Sequence, residues 1–113
     1  MQTISLKFSF YLICFDDDSN NPVRGSILDL IFKLNNNLND EEFKIKYEQY
    51  KKNQEKLIDK YRLQKSIYYV LSKYDLNYIE TLFSKIITDK TLLIITPITV
   101  LSGTDNIIKK LNP

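Results

Sequence analysis

The chain has 113 residues, of which 43% are hydrophobic and 27% are charged. This length and this balance are typical of one ordinary globular domain and exclude an intrinsically disordered chain. Sixteen basic and fourteen acidic residues leave a net charge of +2, so no overall field points to nucleic acid or an anionic membrane as a partner. We therefore predict a single compact domain over residues 1–113.

Histidine is absent and Cys14 is the single cysteine, and these two counts limit the chemistry of the chain. Without histidine, the chain lacks the usual general base at neutral pH and the commonest metal ligand. One cysteine can form neither an intramolecular disulfide nor a thiolate zinc cluster, so we expect no cofactor and a cytoplasmic location. No apolar run approaches the roughly 20 residues of a membrane-spanning helix, so we expect no membrane as partner.

The first predicted element is a strand that begins near Thr3 and ends at Phe15. Polar and apolar residues alternate from Thr3 to Ser9, which is the pattern of a half-buried strand. After Ser9 the second face, which includes Tyr11, is apolar as well. A strand that is covered on both sides lies in the centre of its sheet. We expect Cys14, on the first face, to be a core residue.

Two helices are predicted to follow this strand. The polar run at residues 16–22 precedes apolar residues that recur at helical spacing up to about Asn35. Asn39 and Glu42, three positions apart, predict a capping box for a second helix that extends to about Arg62. This second helix carries a narrow apolar stripe on a charged rod. The stripe consists of Phe43, Tyr47, Tyr50, Gln54, Leu57 and Tyr61.

The second half of the chain predicts two strands and two helices. Residues 67–71 indicate a short buried strand, and Asp75 starts a third helix with a wide apolar face. Residues 92–101 are β-rich, and Pro97 favours an edge position or a bulge. Residues 106–111 are predicted to form a closing helix. The order β-α-α-β-α-β-α predicts an α+β fold, with α/β as the alternative, in which about three helices pack on a three-stranded mixed sheet.

Three consecutive acids, Asp16, Asp17 and Asp18, follow the first strand directly. Carboxylates at the carboxyl end of a central strand can hold a magnesium ion, so these residues are the candidate metal ligands. Turn formation, helix capping and the helix dipole explain three acids before a helix equally well. Both interpretations stay open at this point.

The stretch from Tyr11 to Phe15, with Asp16 and a polar turn into a helix, resembles the start of the small ferredoxin-like nucleases and antitoxins of the Cas2 type. The resemblance covers about the first 35 residues. It implies a metal-dependent nuclease in which Asp16 helps to hold the metal. The predicted long helix over residues 40–62 departs from the compact plan of that family.

Eight tyrosines are many for this length, and tyrosine is enriched at protein interfaces. Our leading hypothesis is a small non-enzymatic factor, of the inhibitor, immunity-protein, antitoxin or phage anti-defence type, that occupies the surface of another protein. The candidate partner-binding residues lie on the second helix and are Tyr47, Tyr50, Lys51, Tyr61 and Arg62. Lysines between the tyrosines make nucleic acid a second possible partner, but acids on the same segment argue against it. A structural subunit, or a homodimer built on the apolar stripe, is the third alternative.

Overall fold

The computed structural model describes residues 8–99, which form four helices and four strands. The elements are β1 (Ser9–Phe15), α1 (Arg24–Asn35), α2 (Asp40–Lys52), α3 (Gln54–Asp59), β2 (Arg62–Gln64), β3 (Ile67–Ser72), α4 (Leu76–Ser84) and β4 (Leu93–Ile98). Residues 3–7 of the predicted first strand, residues 100 and 101 of the predicted β-rich segment and the predicted closing helix at 106–111 lie outside the described residues. None of the helices between residues 8 and 99 is long and apolar enough to cross a bilayer.

The four strands form one sheet in the order β2-β3-β1-β4, and every neighbouring pair is antiparallel. The α+β class and the central position of β1 are therefore confirmed, and Pro97 lies in the edge strand β4. The prediction of a three-stranded mixed sheet was wrong. It missed β2, a strand of only three residues that pairs with β3 and reverses the chain, so that β3 runs antiparallel to β1.

When helices α2 and α3 are left out, the chain follows the order β-α-β-β-α-β, and the first strand lies between the third and the fourth. This arrangement is the ferredoxin-like, or split β-α-β, plan. The two further helices α2 and α3 are inserted between α1 and β2. They are the part of the described chain that the plan itself does not require.

The hydrophobic core lies between one face of the sheet and the helices. Tyr11, Ile13 and Phe15 point into it from β1 and are almost completely buried. The helices contribute mainly aliphatic side chains to the same cluster, among them Ile27, Leu28, Ile31, Ile58 and Ile79. Cys14 belongs to the opposite face of β1 and is half-buried, so it is not a member of this core.

The predicted second helix is in fact two helices separated at Asn53. Its start is as predicted, because Asn39 and Glu42 form a complete capping box. At Asn53 the backbone leaves the helical region (φ −120°, ψ 20°), and the side chain donates a hydrogen bond back to the Gln49 carbonyl. The break turns the chain so that α3 buries Ile58 in the core. Arg62, predicted as the helix end, lies in β2 instead.

Strand β3 is longer than its neighbour β2, and within residues 8–99 part of its edge has no partner strand on that side. The side-chain amide of Asn35, the last residue of α1, bonds to this part of β3. Its Nδ2 donates to the Tyr69 carbonyl at 2.9 Å, and its Oδ1 accepts from the Leu71 amide at 2.8 Å. These bonds begin where the backbone pairing of the Tyr69 amide with the Tyr61 carbonyl ends. One side chain therefore replaces a strand residue and fastens α1 to the sheet.

We expect Asn35→Ala to lower the free energy of unfolding by about 2 kcal/mol, because it removes two hydrogen bonds from a side chain to the backbone of a part-buried strand. Urea unfolding followed by circular dichroism measures this loss. The control is Asn36→Ala, whose side chain makes hydrogen bonds only at the exposed surface and should cost less than about 1 kcal/mol. Equal losses in the two variants would contradict the role of Asn35.

Candidate functional site

Asp17 is the second residue after β1, and its carboxylate is the centre of a buried charged cluster. Only 1% of its side chain is exposed. One carboxylate oxygen accepts from Arg24 Nε at 2.7 Å. The other accepts from Arg62 Nη2 at 2.7 Å and from the Tyr68 hydroxyl at 2.8 Å. Both oxygens of Asp17 are therefore occupied by strong donors of this chain.

The two arginines extend this cluster to α3. Arg24 binds the carboxylate of Glu55 with both terminal nitrogens, the shorter contact being 3.1 Å. Arg62 lies 3.7 Å from Asp59 and places its guanidinium 5.4 Å from the centre of the Tyr68 ring. The carboxylate of Asp17 thereby connects the loop after β1, helix α1, helix α3 and the β2–β3 hairpin.

The pKa values of this cluster follow from burial and pairing. Burial alone raises the pKa of Asp17, but the hydrogen bond from Tyr68 and the two guanidinium groups outweigh it, so the pKa lies below its ordinary value. Burial, together with the hydrogen bond to the Asp17 carboxylate, raises the pKa of Tyr68 to about 12. Asp17 is therefore ionised and Tyr68 neutral at any physiological pH.

Asp16 and Asp18 are exposed and lie apart from the Asp17 cluster. Both line an open cavity of about 420 Å³, together with Asn20, Asn21, Pro22, Thr88, Lys90, Thr91 and Leu92. Asp18 accepts a hydrogen bond from the Asn20 amide and so forms a tight turn. Within residues 8–99 no three Asp, Glu, His or Cys side chains are grouped so that they could hold a metal ion. The structure thus does not bring the three consecutive carboxylates together.

Three of the five predicted partner-binding residues hold the fold together. Tyr50 is only 2% exposed, and its ring stacks on Phe32 with 4.3 Å between centroids. Tyr61 is half-buried, packs edge-on against Tyr69 at 5.5 Å and accepts a hydrogen bond from Asn36. Arg62 belongs to the Asp17 cluster. Of these three side chains only Tyr50 is buried, whereas Tyr61 and Arg62 remain partly exposed.

The other two residues, Tyr47 and Lys51, are neighbours on one side of α2. Tyr47 is 40% exposed, and the Lys51 ammonium lies 5.5 Å from the centre of its ring. Lys51 also pairs with Asp29 of α1 at 3.3 Å. Sequence reasoning missed Ile45, which is 84% exposed on the outer side of α2. The position of this isoleucine outside the apolar stripe of a charged helix is the sequence signal that could have identified it.

A groove of about 470 Å³ lies between α1, α2 and α3. Its floor is apolar and consists of Phe32, Tyr50 and Leu57, while Gln49 and Asn53 add polar groups. Three lysines complete the lining: Lys46, Lys56 and Lys60. The sequence marks these lysines as part of a basic segment, but it does not separate them from Lys51 and Arg62, which the fold pairs with acids.

Comparison with known proteins matches this chain to no family model, no curated protein and no solved structure. The described residues contain three candidate regions: the buried Asp17 cluster, the open cavity at Asp16 and Asp18, and the surface of α2 with the adjoining groove.

We expect Asp17→Asn to lower the free energy of unfolding by about 3 kcal/mol, because it leaves two partly buried guanidinium groups without their shared anion. Asp16→Asn is the matched control at the neighbouring exposed position and should change stability by less than about 0.5 kcal/mol. Chemical denaturation of both variants gives the comparison. If Asp17→Asn is as stable as Asp16→Asn, the cluster does not hold the fold together.

The same cluster predicts how stability depends on pH. A lowered pKa for Asp17 stabilises the folded state above the ordinary carboxyl value of about 4, and this contribution is lost as the pH falls through the folded value. A raised pKa for Tyr68 stabilises the folded state below about pH 10, and this contribution is lost as the pH rises towards 12. Urea unfolding across the pH range measures both losses.

Two variants assign these losses to the residues named. Asp17→Asn should weaken the dependence of stability on pH in acid, and Tyr68→Phe should remove the alkaline loss that the raised pKa of Tyr68 predicts. Acid profiles of the wild type and Asp17→Asn that run parallel would show that other carboxyl groups determine the acid limit.

Proposed function

We propose that this chain is a non-enzymatic binding factor that occupies the surface of a partner protein, in the manner of inhibitors, immunity proteins, antitoxins and phage anti-defence factors. The observation that carries the proposal is the exposed surface of α2. Ile45 and Tyr47 present large apolar groups there, on a helix whose other outward residues are mostly charged. Exposed aromatic and aliphatic anchors within a charged surface are typical of helices that recognise a protein.

The attachment of α2 supports this proposal. The helix packs on α1 through one aromatic cluster, in which Phe32 contacts both Phe43 and Tyr50. Ion pairs lie at both ends of that contact: Lys33 with Asp40, and Asp29 with Lys51. One side of α2 is thereby fixed against the body, and the remaining sides are available to a partner.

A second candidate function is the magnesium-dependent nuclease of the Cas2 type. Two observations favour it: the ferredoxin-like order of the elements, and the exposed position of Asp16 directly after the central strand. Asp18 lines the same open cavity and is available as a second ligand. Asp17 is not, because its oxygens are bound by Arg24 and Arg62.

The proposal predicts a protein partner whose binding depends on the surface of α2. We expect the tagged wild-type chain to capture one stoichiometric protein from its native host, and Ile45→Ser or Tyr47→Ala to weaken that complex at least about tenfold. The matched controls are Leu92→Ser and Tyr78→Ala, which truncate side chains of comparable exposure elsewhere on the molecule. Calorimetry with the purified partner measures the affinities.

Two results would replace this proposal. If the control variants weaken the complex as much as the α2 variants do, the partner binds a different surface. If the wild type recovers nucleic acid without protein, cleaves RNA or DNA with magnesium or manganese, and loses that activity in Asp16→Asn, the nuclease function takes precedence. Sedimentation of the purified wild type tests the homodimer alternative, which predicts a dimer in the absence of any other protein.

A further inference from the structure

The short helix α3 separates its charges onto two sides. Glu55 and Asp59, four positions apart, both face the arginines of the Asp17 cluster. Lys56 and Lys60, the residue that caps the carboxyl end of α3, are also four positions apart, and both line the groove between α1, α2 and α3. Like charges at this spacing repel one another on a helix, so each pair gains from a partner outside α3. The acidic pair has such partners in Arg24 and Arg62.

The basic pair has none among the described residues. Lys46 of α2 adds a third ammonium group to the same groove, and no carboxylate of residues 8–99 is part of its lining. Two nearby acids are engaged elsewhere: Glu42 in the capping box of α2, and Asp29 with Lys51. No described carboxylate lies within 4 Å of any of the three lysines.

The apolar floor of the groove indicates which feature an acidic ligand must have in addition to its negative charge. The groove has a volume of about 470 Å³, which accommodates one or two apolar side chains of a partner. Its accessible apolar surface comes mainly from Phe32 and Leu57, because Tyr50 is only 2% exposed. The rings of Phe32 and Tyr50 already stack on each other, so they do not form a platform of separate rings for successive bases of nucleic acid. An acidic protein segment fits this floor better than a nucleic acid does.

We propose that the groove binds an acidic amphipathic segment of a partner protein, with an apolar side chain on the floor and carboxylates beside Lys46, Lys56 and Lys60. This inference rests on the proposed protein-binding function and names the chemistry that the partner must present. Charge complementarity of this kind speeds association and selects among partners.

The experiment selects random displayed peptides on the immobilised wild-type chain and compares their binding to two triple variants. Lys46→Gln, Lys56→Gln and Lys60→Gln together neutralise the groove. Lys44→Gln, Lys52→Gln and Lys65→Gln remove the same number of charges from exposed positions outside the groove. We expect selected peptides to carry acids beside an aromatic or aliphatic anchor and to bind the groove variant at least about tenfold more weakly, with little change in the control.

Thermal unfolding of both variants separates binding from folding. We expect the groove variant to unfold at the wild-type temperature or above it, because neutralisation removes repulsion between the lysines. Binding of the selected peptides should weaken as salt is added, and polyglutamate, which lacks an apolar anchor, should bind less tightly than the selected peptides do.

Three results would overturn the inference. Selected peptides could bind the groove variant and the wild type equally. Polyuridylic acid could bind through the three lysines while no acidic peptide is enriched, which would make the groove a nucleic-acid site. Sedimentation could show a wild-type dimer that the groove variant abolishes, which would make a second copy the occupant. Partner capture that depends on Ile45 and Tyr47 would survive the first of these results, so failure of the groove and failure of the proposed function are distinguishable.

Discussion

The negative charge of Asp17 sets where several other elements of this molecule lie. A carboxylate with 1% of its side chain exposed is costly unless charged donors satisfy it, and here two guanidinium groups and a phenol do so. Arg24 also donates hydrogen bonds to Glu55, and Arg62 forms an ion pair with Asp59, so each arginine contacts an acid of α3 as well. The buried anion is therefore joined through the arginines to the acidic side of the inserted helix.

This connection has a consequence at the surface. Because Glu55 and Asp59 turn towards the arginines, residues one position further along α3 turn towards α2. Lys56 and Lys60, which are both exposed, therefore line the same groove, and Lys46 joins them from α2. A buried interaction that stabilises the fold thus also determines which charges the molecule presents together on the outside.

The sequence predicts those parts of the fold that depend on local patterns. The central strand, the capping box of Asn39 and Glu42, helix α1 and the edge position of Pro97 follow from periodicity, hydrogen-bonding chemistry and backbone restriction. Strand β2 does not, because three residues containing arginine and glutamine carry no strand pattern and form a strand only by pairing with β3. The sequence does not predict the break at Asn53 either, because the position of α3 depends on the burial of Ile58, which is a long-range contact.

The same distinction between local patterns and long-range contacts applies to the candidate site. Tyrosines and basic residues of the predicted second helix look equivalent in the sequence, but long-range contacts divide them. Tyr50 is buried and Arg62 pairs with Asp17, whereas Tyr47 stays at the surface. A ferredoxin-like plan supports many unrelated functions, so the sheet by itself does not choose between binding and catalysis. The nuclease candidate depends on residues after the central strand, and the binding candidate depends on the inserted helices. Because α2 and α3 lie outside that plan, a function specific to this chain is better sought on them than on the sheet.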